Sequence, residues 1–423
     1  MSKIVQVKAR QLIDCKCRPM VEVDVVTSCG CIGRGSAPTG TSVGMYEAYI
    51  LRDKNPAEYN GLSIHNAVDS VLNRIAPAII GMDIDDWQEI DKRMIELDGT
   101  ANKSNIGGNA IYSVSIACLR AAAETHRIPV YDYIRGKAIS TIPVPSFNLI
   151  NGGRYPHLVQ PFNEFILVPY KAESVYEAVE IAVKCFQRLE NIIADYSGRS
   201  ATIAGSYGWA APSNDPDTVL SLMQKSVESC GYKNKVAYAL DCASSEMYDK
   251  GSATYMLLDK QVSGNELIDY VACLCKKYPM LFIEDLMDEN AWDDYTIARG
   301  NIKNTLMIGD DLIASTKSRL EKAFELNAVD GFVLKPNQIG TITEALETYR
   351  YADSHGMISL PSGRAGGVVN DIIMDLAVGL EVPLIKNGAP RSGERIDKVN
   401  FLMRACDLSS GSVMTDISGL VRF

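Results

Sequence analysis

Near the start of the chain, Val21, Val23 and Val25 alternate with Glu22, Asp24 and Val26, and the turn Thr27-Ser28-Cys29-Gly30 follows. A period of two predicts an antiparallel hairpin or meander within the first 35 residues. The Gly-, Ser- and Thr-rich stretch from Gly35 to Gly44 is too long for a tight turn and too polar for a core. It is expected as a mobile surface loop. Between Ser63 and about His126 apolar residues recur at helical spacing (Ala67, Val71, Ile75; Ile111, Val114, Cys118), which predicts several helices. The pattern changes between Gly136 and Thr141, where the strand-like Ile142-Pro143-Val144-Pro145 begins.

Beyond residue 140 one pattern recurs: a short apolar run bounded by a polar residue, a loop, then a helix-period segment. The runs are Phe165–Val168, Val236–Leu240 before Asp241, Leu281–Ile283 before Glu284 and Leu306–Gly309 before Asp310. Gly331–Leu334 before Lys335, Met357–Ser359 near Ser362 and Pro383–Ile385 before Lys386 complete the series. Continuous apolar runs alternating with helices predict buried parallel strands. At least six such units fit a (β/α)8-type barrel better than an open sheet. In such a barrel the C-terminal strand ends share one mouth, where catalytic residues collect.

Asp241, Glu284 and Asp310 would then converge there. Oxygen-only ligation from separate strands suits a hard octahedral cation, Mg2+ or Mn2+, rather than zinc. An acid at a strand end is more often a helix cap or an ion-pair partner, but three in succession with two lysines favour a metal. A divalent cation would lower the pKa of a neighbouring lysine. Lys335 is thus a candidate base for a proton α to a metal-bound carboxylate, and Lys386 a candidate cation for substrate carboxylate or phosphate.

Composition narrows the partners. The chain has 423 residues and a net charge of −10, with 42 Lys and Arg against 52 Asp and Glu, so it lacks the basic footprint of a nucleic-acid binder. No apolar run reaches the roughly 18 residues of a membrane span, and no signal-peptide pattern opens the sequence, so a soluble cytoplasmic protein is expected. The 11 cysteines show no framework spacing. Three pairs are C-x-C (Cys15/Cys17, Cys29/Cys31, Cys273/Cys275), read as reduced thiols that share a face if they lie on strands. Four scattered histidines are too few for a zinc site, and Gly30-Cys31-Ile32-Gly33-Arg34-Gly35 opens no helix and reads as a strand bend.

The segments VEVDV, Leu97–Ser104, Ile150-Asn151-Gly152-Gly153 and Asn163-Glu164-Phe165 resemble enolase, as do LDCASSE (240–246) and Ile283-Glu284-Asp285. So do GDDL (309–312), LKPNQIGT (334–341) and IKNGAPRSGER (385–395), and together the motifs cover essentially the whole chain. The resemblance implies an N-terminal α+β domain (residues 1–137) and a modified (β/α)8 barrel, the catalytic domain (residues 138–423). It also implies two Mg2+ ions, a small-molecule carboxylate substrate and a homodimer or higher homo-oligomer. By the same resemblance, Asp241, Glu284 and Asp310 are metal ligands, Lys335 is the base and Lys386 contacts the substrate carboxylate. Ser42 brings the second Mg2+, Glu164 is one of two carboxylates near the leaving hydroxyl, and Ser362 is of the family type. For the dimer it suggests Arg10 with Asp407 and Glu22 with Arg404 across a two-fold.

The departures are local. Family members have G-D-E-G-G where this chain has Gly205-Ser206-Tyr207-Gly208-Trp209, so Tyr207 replaces the general-acid glutamate. They have S-H-R-S-G where this chain has Ser359-Leu360-Pro361-Ser362-Gly363, which removes the phosphate-gripping arginine. Tyr155 replaces a loop histidine, with His157 two residues on, and Asn163 replaces a glutamine. Arg364 or Arg154 is the candidate substitute for the lost arginine. Tyr207, expected to face the leaving group, is either a packing residue or an acid with a pKa lowered by nearby cations. The expected activity is a Mg2+-dependent lyase step on 2-phosphoglycerate or a close analogue. The alternatives are a paralogue acting on another carboxylate, a metal-binding pseudoenzyme with a scaffolding role, and an unrelated barrel metalloenzyme.

Overall fold

A computed structural model describes residues 2–40, 44–153, 158–409 and 411–423. Strands β1 (Ile4–Ile13), β2 (Pro19–Thr27) and β3 (Ile32–Ser36) form the expected antiparallel meander. Val21, Val23 and Val25 are fully buried, as the alternation requires. Glu22 and Asp24 on the other face are buried too, because two arginines lie over them. Arg10 Nε donates to Glu22 at 2.8 Å and Arg34 Nε to Asp24 at 2.7 Å.

Helices α1 (Trp87–Asp98) and α2 (Gly108–His126) belong to the same apolar cluster as the meander. The backbone of α2 lies directly on β3. A Cβ at Gly33 would stand 2.0 Å from the Ala117 carbonyl oxygen, and one at Gly35 2.0 Å from that of Ser113. The glycine-rich run therefore provides a helix-packing face within a strand, not a bend.

The described part of the stretch after β3, up to Gly40, is buried rather than the expected surface loop. Ala37 and Thr39 are each 2% exposed. Thr39 and Gly366 exchange backbone hydrogen bonds at 3.1 and 3.0 Å, and the Thr39 hydroxyl donates to Asp14 at 2.8 Å. The polar groups of this stretch are satisfied by Asp14 and Arg18 of the β1–β2 turn and by Gly366, more than 300 residues away, partners that local composition cannot reveal. Ser42 lies outside the described residues, as do Arg154, Tyr155 and His157.

Eight strands make the barrel: β4 (Val144–Asn151), β5 (Glu164–Val168), β6 (Ala237–Asp241), β7 (Met280–Glu284), β8 (Leu306–Gly309), β9 (Gly331–Leu334), β10 (Ile358–Pro361) and β11 (Leu384–Lys386). Their order is β10-β9-β8-β7-β6-β5-β4-β11, and a parallel bridge between Ser362 and Lys386 closes the ring. Helices α3 (Val175–Ser197), α4 (Pro216–Ser229), α5 (Gly264–Lys277) and α6 (Ile342–Ser354) each begin on a side-chain cap. The caps are Ser174, Asp215, Ser263 and Thr341, which accept backbone N–H groups otherwise left unpaired.

One strand corrects the all-parallel expectation: β5 runs antiparallel to both β4 and β6. Among the described residues no helix joins β4 to β5, and a parallel neighbour would need a crossover of a dozen or more residues, usually helical. The chain turns back instead, and β5 presents its N-terminal end at the mouth. Nor does any C-x-C pair lie within a strand. Cys15/Cys17 and Cys29/Cys31 sit at turns, and Cys273/Cys275 sit on α5.

Candidate active site

Strand periodicity aims the site. Ile166, Ala239, Phe282, Ile308, Val333, Leu360 and Leu384 belong to one buried cluster inside the barrel. Two residues from each, toward one mouth, stand Glu164, Asp241, Glu284, Asp310, Lys335, Ser362 and Lys386. Successive side chains on a strand alternate faces, so a residue two steps from an inward one also points to the axis. These residues line a cavity of about 490 Å3, except Glu284, which lies beneath it with no exposed side-chain surface.

The polar contacts are dense. Lys386 Nζ bonds Glu284 and lies 3.3 Å from Glu164 and 3.5 Å from Asp241. Lys335 Nζ pairs with Asp310, whose other oxygen accepts from Gln338 Nε2 at 3.0 Å. Asn163 Nδ2 donates to Asp241 at 2.9 Å and Asn148 Nδ2 to Glu164 at 3.0 Å.

Burial dominates the protonation of this cluster. It pushes the Asp241 carboxyl up to about 6, with Lys386 opposing, and drives Glu284 well above the usual carboxylate range, aided by Asp241. For Asp310 burial also acts upward, but Lys335 beside it wins and holds it below its ordinary value. Burial would lower Lys335 and Lys386. Asp310 overrides this for the former, and Glu284, Glu164 and Asp241 for the latter, so both lysines are held above their ordinary values.

The donor set fits a hard divalent cation. Glu164, Asp241, Glu284 and Asp310 face two ammonium groups, so full ionisation leaves two negative charges uncompensated among these six groups. The second oxygen of Glu284 is buried without a hydrogen-bond partner in the structure, a costly arrangement unless something cationic takes it. Two tighter groupings of potential ligand atoms also occur. In one, Asp285 joins Asp310 and Asp311, but both Asp285 oxygens already accept the N–H groups of Asp310 and Asp311 at 2.8 Å. In the other, Asp53 lies with Glu58 and His65, and its oxygens accept the N–H groups of His65 and Asn66 at 2.8 Å. Asp285 is thus committed to holding the loop after β8, and Asp53 to capping a short helix.

Two sequence expectations fare differently. Arg364, the candidate for an anion contact, is buried at the cavity wall and paired with Glu47 at 3.0 Å. Tyr207 does not face the cavity. It adopts a left-handed backbone with φ 68°, and its hydroxyl donates to the Cys15 carbonyl at 2.8 Å. Lys16 and Arg395 lie over its ring at 5.5 and 5.0 Å. Burial and its contact with Cys15 push the phenol up to about 12, the reverse of the lowering expected for an acid. Ser206, one residue earlier, lines the cavity instead.

Sequence reasoning missed several wall residues: Glu47, Glu246, Asp311, Arg395 and Lys398. Glu246, Asp311 and Arg395 lie inside quoted motifs, so those motifs held the signal. Glu47 and Lys398 follow no strand end and carry none.

Among the described residues no helix is long and apolar enough to cross a membrane. Residues 4–134 match the family model for the enolase N-terminal domain, and residues 139–415 the model for the enolase C-terminal TIM barrel domain. The enolase of Methanococcus maripaludis is 38% identical over 402 residues, spanning 95% of this chain and 94% of the relative. That of Methanosarcina barkeri is 38% identical over 404 residues with the same coverage. The barrel agrees with these matches, and the chain belongs to the enolase family, as a carbon–oxygen lyase of the phosphopyruvate hydratase type.

Proposed function

We propose that the protein removes the α-proton of a small carboxylate substrate in a Mg2+-dependent elimination, converting 2-phosphoglycerate to phosphoenolpyruvate. The observation that carries the reading is the convergence of Lys335, Lys386 and four carboxylates on the barrel axis. Asp241, Glu284 and Asp310 would hold one Mg2+, and Ser42 would contribute to a second. A cation held there would supply positive charge to offset the substrate carboxylate and acidify its α-proton.

The chain's own residues do the rest. Lys386 orients the carboxylate. Lys335 takes the α-proton, which requires it first to be neutral and therefore released from Asp310. Glu164, steered by Asn148, lies beside the leaving hydroxyl. Arg364 contacts the phosphate, Ser362 and Asn163 shape the pocket around the substrate, and Tyr155 belongs to the same binding set. We place the protein in the cytoplasm as a homodimer, with no nucleic-acid or membrane partner. In the single chain Arg10 is already paired with Glu22 and Asp24, so a dimer using Arg10 and Asp407 would extend an existing ion network.

A different carboxylate substrate is the second reading. It is favoured by Tyr207, which turns away from the cavity and leaves that position without an acid. The test is substrate turnover with Mg2+, read together with exchange of the α-proton into D2O. Formation of phosphoenolpyruvate supports the first reading. Exchange without elimination, or turnover of another 2-substituted acid, selects the second. Absence of exchange across such acids, with Mg2+ bound, would leave only a non-catalytic role.

A further inference from the structure

The turn between β2 and β3 carries chemistry that the barrel does not use. Cys29 and Cys31 flank Gly30, and their sulfurs lie 3.4 Å apart. Cys29 is exposed and Cys31 half-exposed. Ser2 Oγ donates to Cys29 Sγ at 3.2 Å, and the Thr27 hydroxyl lies 3.2 Å from the same sulfur. Thr27 is itself 1% exposed, so that hydroxyl is held in place. Gly30 has φ +88° and nothing within 4 Å of where a Cβ would stand, which leaves the turn room to tighten. Neither cysteine lines the barrel cavity.

We propose that Cys29 and Cys31 form a thiol–disulfide exchange site that takes low-molecular-weight disulfides and closes to an intramolecular disulfide. The Cys29 thiolate attacks one sulfur of the incoming disulfide, forming a mixed disulfide and releasing one thiolate. Cys31 then gives up its proton and attacks Cys29 Sγ, releasing the second thiolate. The protein dithiol loses two electrons, and the small disulfide gains them as two thiols. Closure needs the sulfurs to move from 3.4 Å to about 2.05 Å, within reach of side-chain rotation at an open turn.

The two thiols are unequal in the way the sequence of steps requires. Hydrogen bonds from Ser2, Thr27 and the Cys31 backbone bring Cys29 down to about 6, while its partner is raised by sharing a hydrogen bond with Cys29. Cys29 attacks and Cys31 resolves. At pH 6 about half of Cys29 is ionised, against roughly 0.3% of an ordinary thiol. Its lower intrinsic nucleophilicity takes back part of that gain, which leaves an advantage of roughly 10-fold.

Cys17 and Cys273 are exposed cysteines of the same protein and serve as internal references. Iodoacetamide at pH 6 should label Cys29 roughly 10-fold faster than either. Oxidised glutathione should then leave the peptide holding Cys29 and Cys31 two hydrogens lighter. Cys31→Ser should instead accumulate a glutathione adduct on Cys29, and Cys29→Ser should form neither product. Labelling of Cys29 at the rate of Cys17 and Cys273 would overturn the proposal. So would a parent protein that stops at the mixed disulfide. The first measurement needs no variant and so is independent of folding.

Discussion

Arg364, on the loop after β10, meets Glu47 of the N-terminal part at 3.0 Å, with both side chains nearly excluded from solvent. The carboxylate holds the guanidinium fork at the cavity wall, and Glu47 is itself fixed by the Gly44 N–H at 3.0 Å. If Arg364 grips a phosphate, Arg364→Ala should raise KM for a phosphorylated substrate about 100-fold, and Arg364→Lys should recover only part of the loss. Steady-state kinetics on both variants decides it. An unchanged KM removes Arg364 from substrate binding.

Lys335→Ala should abolish α-proton exchange into D2O. Because it leaves the buried Asp310 without its ion pair, it should also lower the stability of the metal-free protein, so exchange is read on variant protein shown to be folded. Proton NMR of substrate in D2O reads the exchange directly. Persistent exchange would assign the base elsewhere.

Glu284→Gln keeps the shape but removes the most deeply buried of the candidate ligands. Thermal melts with and without Mg2+ should show stabilisation in the parent and little in the variant. Equal stabilisation of both would mean that Glu284 holds no metal.

Tyr207→Phe removes one hydroxyl whose partner is the Cys15 carbonyl. The expected cost is about 1 kcal/mol of stability with turnover retained. The alkaline limb of the pH–rate profile should also be unchanged, since a phenol at about 12 does not titrate in the working range. A loss of turnover near 100-fold at unchanged stability would restore Tyr207 to the chemistry.

Asp91 joins α1 to the start of α6. It accepts from Ser115 Oγ at 2.8 Å and from the Thr343 hydroxyl and N–H at 2.6 and 3.1 Å. Complete burial pushes its carboxyl up to about 6, with Glu344 adding to the rise and the hydroxyls opposing it. A folded pKa above the unfolded one means stability fully present below about pH 4 and lost as pH rises through about 6. The shift corresponds to about 3 kcal/mol. Asp91→Asn should therefore gain on the parent in melting temperature from pH 4 to pH 7, then run parallel to it. A constant difference across that range would show that Asp91 titrates normally.

The barrel was legible because its signal is periodic and local. Each apolar run reaches the mouth on a residue two steps from an interior one, so Asp241, Glu284, Asp310, Lys335 and Lys386 could be read in order. What escaped were matters of partnership. Thr39 is buried because Gly366 satisfies it, and Tyr207 turns away because Cys15 receives its hydroxyl. These contacts join segments 192 residues apart for Tyr207 and more than 300 for Thr39, and no window of sequence contains them. The reversed β5 was hidden as well, because an apolar strand has no direction until its connection is known.

The β1–β2 turn has a consequence for modularity. Cys15 pairs with Gly367, Lys16 with Gly205 and Arg18 with Thr39 and Gly40, so a turn far from the barrel in sequence braces two of its mouth loops. A barrel severed from its first 137 residues would inherit the acids and the bases yet lose the buttress that gives their pocket a wall. The pocket is thus a joint property of the N-terminal part and the barrel, and a change in one at these contacts is felt by the other.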